Sequence, residues 1–301
     1  MSAAPLILYV PGLLPKPEPG IHRDALCRCL GAGLRRVDAE LARRVEADDR
    51  LFDIVAWTYD FYSEHRDFEI DRTAVRAVID QPQASDADLR EASSLRRRAS
   101  RWLFATADLL PFLIPHVASE RMQLHLKDLL RYTRNRNGIA AHIRQMLKLA
   151  LRAAAESDRP VLLIAHSMGS VIAWEALWQM SRSDGDGAGI DLLLTMGSPL
   201  GQRFIQKRLQ GGDESGERRY PDNIRRWINL TAVGDLTAVD PDLADDFAAM
   251  VRLGLVESIE DHAVHNYFRL HGELNAHSEY GYLVNPATAR IVSDWWHQRG
   301  Q

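Results

Sequence analysis

Cysteine is nearly missing from this 301-residue chain, which has only Cys27 and Cys29. One residue separates them, too close for an ordinary disulfide, and no further cysteine completes a metal site. A disulfide scaffold is thereby excluded, and a reduced, intracellular protein is expected. Positive charge is not in excess either. With 37 Lys and Arg against 41 Asp and Glu the formal net charge is -4, which makes no electrostatic case for a nucleic-acid partner. Long hydrophobic runs are also lacking. The apolar run at residues 6–10 is too short for a signal core or a membrane span, and the residues before it carry no positive charge. A cytoplasmic protein without a cleaved leader is expected. A later patch, "WLFATADLLPFLIPHV" at 102–117, is broken by Asp108, Pro111 and Pro115 and falls short of a bilayer's thickness. No internal repeat is present, and the "DGDG" loop at 184–187 lacks the other ligands of a calcium loop.

What the chain does have is enough apolar material, 46% of its residues, for one large core. Strand-length apolar runs occupy 6–10, 52–58, 161–165, 192–196, 227–233 and 264–270. Most are continuous rather than alternating, as suits a parallel sheet covered on both faces. Helical segments separate them. In 139–154 the positions Ile139, Ile143, Met146, Leu147, Ala150, Leu151 and Ala154 form one apolar stripe, and Pro160 follows before the next strand. Pro286 is placed to open a C-terminal helix. The expected fold class is therefore α/β, a mostly parallel, doubly wound sheet. Residues 59–136 interrupt the alternation. They contain no convincing strand and predict a helical cap inserted over the strand ends, between core segments 1–58 and 137–301. Within that insert the patch at 102–117 has two open readings, packing on the core or contacting an acyl chain or a membrane surface.

The stretch "VLLIAHSMGSVIAWEAL", 161–177, runs from strand-like residues through one polar step into helical spacing. A strand, then Ala165-His166-Ser167-Met168-Gly169, then a helix is the nucleophile elbow G-x-S-x-G with alanine at its first small position. Ala165 and Gly169 supply the small residues that a sharp turn needs on either side of a strained serine. On "AHSMGSVIAWE", on "YVPGLL" after the first strand and on "TMGSPL" at 195–200, the chain resembles the α/β-hydrolase superfamily, and within it the lipase- and esterase-like serine hydrolases. The likeness covers the sheet-forming parts and leaves the insert unmatched. Against the His-Gly-Gly-Gly pattern of some esterases the loop after the first strand departs.

The resemblance implies an α/β-hydrolase fold and a Ser, acid, His order along the chain. Ser167 is then the nucleophile, with the Met168 amide as one oxyanion donor and the Leu13 amide as the other. Asp235, two residues past the run ending at Val233, is the first candidate for the acid, with Asp240 and Asp242 as alternatives farther along the loop. Ser198, after the preceding strand, cannot serve as a carboxylate. His277 is the candidate base, His271 the alternative, and His166 is expected to pack within the elbow. Such a site needs no metal and no organic cofactor. The leading function is hydrolysis of small-molecule acyl esters, lipids included, with peripheral membrane contact through the cap as an open question. A thioesterase, amidase or acyltransferase using the same triad, or a non-catalytic binding protein on this fold, are the alternatives.

Overall fold

The structure, a computed structural model, describes residues 3–95, 97, 120–238 and 240–298. The patch at 102–117 lies outside the described residues. The chain opens with β1 (Leu6–Val10), α1 (Pro19–Arg35), α2 (Ala39–Ala47), β2 (Phe52–Ile54), α3 (Thr58–Tyr62), α4 (Glu69–Asp80) and α5 (Asp86–Ala92). It continues with α6 (Glu120–Thr133), α7 (Ile139–Glu156), β3 (Val161–His166), α8 (Met168–Trp178), β4 (Ile190–Met196), α9 (Arg203–Gln206) and β5 (Ile224–Ala232). The last part holds α10 (Leu243–Asp246), α11 (Ala248–Arg252), β6 (Ser258–Val264), the two-residue strands β7 (Arg269–Leu270) and β8 (Glu273–Leu274), α12 (Glu279–Leu283) and α13 (Pro286–His297).

Six strands form one sheet in the order β2-β1-β3-β4-β5-β6, and every pairing is parallel. Side chains alternate between two buried faces. Leu6, Leu8 and Val10 of β1 join Leu163, Leu193 and Trp227 against α7 and α8. Ile7 and Tyr9 turn the other way and join Ile164, Leu194 and Leu230 against α1, α2 and α13. The apolar stripe expected for 139–154 forms α7, with Ala140, Ile143, Leu147, Leu151 and Ala154 buried, and Pro286 stands in the first turn of α13. This six-stranded parallel sheet flanked by helices is an α/β-hydrolase fold. Among the described residues no helix is long and apolar enough to cross a membrane.

Two expectations about strands need correction. The run 264–270 does not form the last strand; the sheet instead takes Ser258–Val264, a segment with Glu260, Asp261 and His262 in it. As the edge strand it has one neighbour and faces solvent along most of its length, so it needs no apolar run. Tyr267 and Phe268 are buried all the same, packed in an irregular segment against the second face. The run 52–58 pairs only over Phe52–Ile54 and then turns into α3.

Described parts of 59–136 pack along the sheet's two faces. Phe68, Val75 and Val78, from the start and body of α4, join the second cluster, whereas Leu129 and Tyr132 of α6 join the first. Tyr132 marks a polar tie inside that face. Its hydroxyl donates to Glu175 Oε2 at 3.0 Å, and Arg144 Nη1 donates to the same oxygen at 2.7 Å. Both charged groups are buried, so deleting one strands the other away from water. Glu175→Ala is expected to cost about 3–5 kcal/mol of stability, while Arg144→Met with Glu175→Leu recovers most of it. Urea unfolding of the two variants beside wild type checks this, and a loss under about 1 kcal/mol in Glu175→Ala contradicts it.

Candidate active site

The loops at the C-terminal ends of β1, β3, β4 and β5 converge where the strand order changes direction, between β1 and β3. Open parallel sheets place their ligand crevices at such a point. Ser167 sits at the corner between β3 and α8 with φ 53° and ψ -124°, a conformation costing on the order of 1–3 kcal/mol for a residue with a side chain. Its surroundings hold it there. The Ser167 amide donates to Met196 O at 2.9 Å, continuing the β3–β4 ladder past its end, and the Ser170 hydroxyl donates to Ser167 O at 2.6 Å. Gly169 has no room for a side chain, because a Cβ there would run into the carbonyl oxygens of Val10 and Pro11. A Cβ on Gly12 would come within 2.8 Å of Ser167 Cβ. The strand end, the following loop and the elbow thus fit together only through two glycines.

Ser167 Oγ lies 2.9 Å from His277 Nε2, and His277 Nδ1 lies 2.8 Å from Asp235 Oδ2. A carboxylate at Nδ1 accepts only, so that nitrogen carries the proton and Nε2 is left to accept from the serine hydroxyl. Asp235 is buried and fully partnered: Oδ1 accepts from the Thr237 amide at 2.8 Å and Oδ2 also accepts from the Tyr282 hydroxyl at 2.8 Å. Burial pushes the Asp235 carboxyl up, but the attraction and hydrogen bond of His277, the Thr237 amide and the Tyr282 hydroxyl together hold it below its ordinary value. The other candidates lie elsewhere. Asp240 Oδ1 accepts from the Asp242 amide, and His271 occupies the turn between β7 and β8 with φ 53°.

Met168 is the first residue of α8, so its amide is among those with no acceptor inside the helix. Leu13 is partly buried against the first core cluster. Its segment is tied on both sides: Trp57 Nε1 donates to Pro11 O at 2.9 Å, and the Leu14 amide donates to the Tyr62 hydroxyl at 3.1 Å. Leu14 itself has φ 76°.

Several contributors escape sequence reasoning. Gly197, at φ 56°, leaves the space for the acid–base pair, since a Cβ there would lie 2.9 Å from both Asp235 Oδ2 and His277 Nδ1. Its position in "GSP" after a strand is the signal that could have found it. Tyr282, which links Asp235 to the Ala232 amide, carries no such signal. Arg97 donates to Gly234 O and Leu274 O, bridging the loops that carry Asp235 and His277. His166 Nε2 donates to His277 O at 2.9 Å, which fits the packing role expected of it. Cys27 and Cys29 are free thiols, and burial pushes Cys27 up to about 11. Among the described residues no group of three His, Cys, Asp or Glu side chains is arranged to hold a metal ion.

Residues 125–205 match the family described as "Alpha/beta hydrolase of unknown function (DUF900)". That match agrees with the α/β-hydrolase fold of the sheet. The matched stretch contains Ser167 and Gly197 and ends before Asp235 and His277. No curated protein and no solved structure matches the chain.

His166 also makes stability depend on pH. Burial, and then the nearby charge of His277, push it down to about 3, against about 6.5 in an unfolded chain. Between these values the unfolded state binds the extra proton, so stability falls as pH drops from about 6.5 toward 3. Asp235 acts in a separate, lower window, because its contribution is lost only as pH falls below the ordinary carboxylate range near 4. His166→Gln keeps a donor for His277 O and cannot titrate. Its urea midpoint is expected to vary less than wild type's between pH 7 and about pH 5, and superimposable pH profiles would refute the assignment.

Proposed function

We propose that the protein is a serine hydrolase of carboxylic esters, working through Ser167, His277 and Asp235 and an acyl-enzyme intermediate. The observation that carries this reading is the unbroken chain from Ser167 Oγ to His277 Nε2 and from His277 Nδ1 to Asp235 Oδ2, at 2.9 and 2.8 Å. An isolated serine hydroxyl is a weak nucleophile; a base at hydrogen-bond distance, itself oriented by a buried carboxylate, is what activates it.

His277 Nε2 takes the hydroxyl proton as Ser167 Oγ bonds to the acyl carbon. Asp235 keeps the ring oriented and offsets its positive charge. The carbonyl oxygen becomes an oxyanion held by the Met168 and Leu13 amides, aided by the start of α8. Collapse breaks the ester bond, and His277 returns its proton to the leaving alcohol. Water then attacks the acyl-serine by the same base catalysis, releasing the acid and restoring Ser167. The substrate class is a small acyl ester.

Intact-mass analysis after fluorophosphonate treatment tests the nucleophile. One adduct on wild type, absent from Ser167→Ala, is expected. Ser167→Ala and His277→Ala should each lower kcat on an acyl ester by about 10⁶-fold, and Asp235→Asn by about 10⁴-fold. A folded wild type that takes no adduct, or a fully active His277→Ala, contradicts the reading. Rates over esters of increasing chain length, beside matched thioesters and amides, separate the ester reading from its relatives.

A further inference from the structure

Below the elbow lies a buried charge that the proposed reaction does not use. Glu279 opens α12, two residues after His277, and its side chain points inward and is only 5% exposed. Oε1 accepts from Lys16 Nζ at 2.8 Å and from His22 Nε2 at 3.1 Å, and Oε2 accepts from the Tyr9 hydroxyl at 3.1 Å. Burial alone would push this carboxyl up, yet the Lys16 charge and His22 hold it well below its ordinary value. Lys16 is itself largely enclosed, 14% exposed.

Stability by itself does not call for such an arrangement. A desolvated ion pair gains little net energy over an apolar pair of the same volume. What the pair does supply is geometry, because its partners come from separate pieces of chain. Lys16 lies three residues beyond Leu13 on the segment that leaves β1. Glu279 lies on the turn that carries His277, whose carbonyl is held by His166, the residue before Ser167. The His166 Nδ1 atom, which has no hydrogen-bond partner, faces Glu279 Oε2 at 3.9 Å. The segments bearing Leu13, Ser167 and His277 therefore all meet one carboxylate. Another buried cluster, Glu175 with Arg144 and Tyr132, joins helices on the opposite face.

We infer that Glu279 is a positioning residue, a buried acceptor that with Lys16 fixes the Leu13 segment and the His277 turn relative to Ser167. This rests on the serine-hydrolase reading. Glu279 contacts neither the serine hydroxyl nor the His277 ring through any hydrogen bond, so its effect is on alignment. A displacement of about 1 Å in a catalytic constellation can cost on the order of 100-fold in rate.

The test compares Glu279→Gln, Lys16→Met, their double variant and Lys16→Arg in the full chain. Hydrolysis of 4-nitrophenyl butyrate and fluorophosphonate labelling of Ser167 are followed well below each variant's melting temperature. Glu279→Gln and Lys16→Met are expected to lower kcat about 10- to 100-fold with KM within about twofold. The double variant should lose no more than the worse single, as for two ends of one interaction, and Lys16→Arg should recover most of the rate. A purely structural role would lower the melting temperature and leave kcat unchanged in the folded protein. Folded variants with wild-type kcat, or losses that multiply in the double variant, overturn the inference. Should Glu279→Gln fail to fold, Lys16→Met and Lys16→Arg decide it by the same kcat criterion. Wild type without an adduct at Ser167 removes the underlying reading itself, an outcome distinct from labelled wild type with unaffected variants.

Discussion

The close approach between the elbow and the end of β1 is the constraint from which the rest of the site follows. Gly169 lies so near the Val10 and Pro11 carbonyls that no side chain fits, and Gly12 presses on Ser167 from the other side. Val10 pairs with Ala165 in register, so the contact is set by the sheet rather than by loop packing. The strained backbone at Ser167 persists because the Met196 carbonyl, the Ser170 hydroxyl and the helix behind it leave no alternative. Once that corner is set, the loops after β1 and β4 have only one side on which to lie, and the acid and base must approach from the remaining strands. Gly197 keeps open the passage by which they do.

Buried carboxylates carry out the same task on a smaller scale. Asp235 takes hydrogen bonds from His277, Thr237 and Tyr282; Glu279 takes them from Lys16, His22 and Tyr9. In each case the carboxylate ties its own segment to a distant part of the chain. An apolar contact tolerates sliding, whereas a carboxylate cut off from water tolerates very little, because every lost donor exposes an unpaired charge to low dielectric. Such groups are costly as a source of stability and effective as a source of alignment.

Much of the central sheet could be read from the sequence because parallel strands buried on both faces appear as plain aliphatic runs. β1, β3 and β4 are of this kind. β6 is not, since an edge strand with one exposed face can carry Glu260, Asp261 and His262, and the apolar run beside it is buried without joining the sheet. Ser167 stood out because the elbow's demands are local: small residues two positions either side, a strand before and a helix after. That Asp235 and His277 meet it depends on loops 42 residues apart, and was approached through chain order and a resemblance. Tyr282 and Glu279 depend wholly on tertiary proximity. A tyrosine or glutamate beside a histidine has no periodicity or spacing that distinguishes a buried acceptor from a solvated side chain.

Both borders of the sheet also bear on how the molecule behaves at high concentration. One border, β2, offers three residues with Asp53 turned to solvent. At the other, β6 presents acidic side chains and His262 beside its unpaired backbone groups. A second chain adding itself by strand pairing would find a short template on one side and solvated charged side chains on the other. The feature that hid β6 from a reading of hydrophobic runs is thus also a guard against open-ended sheet growth.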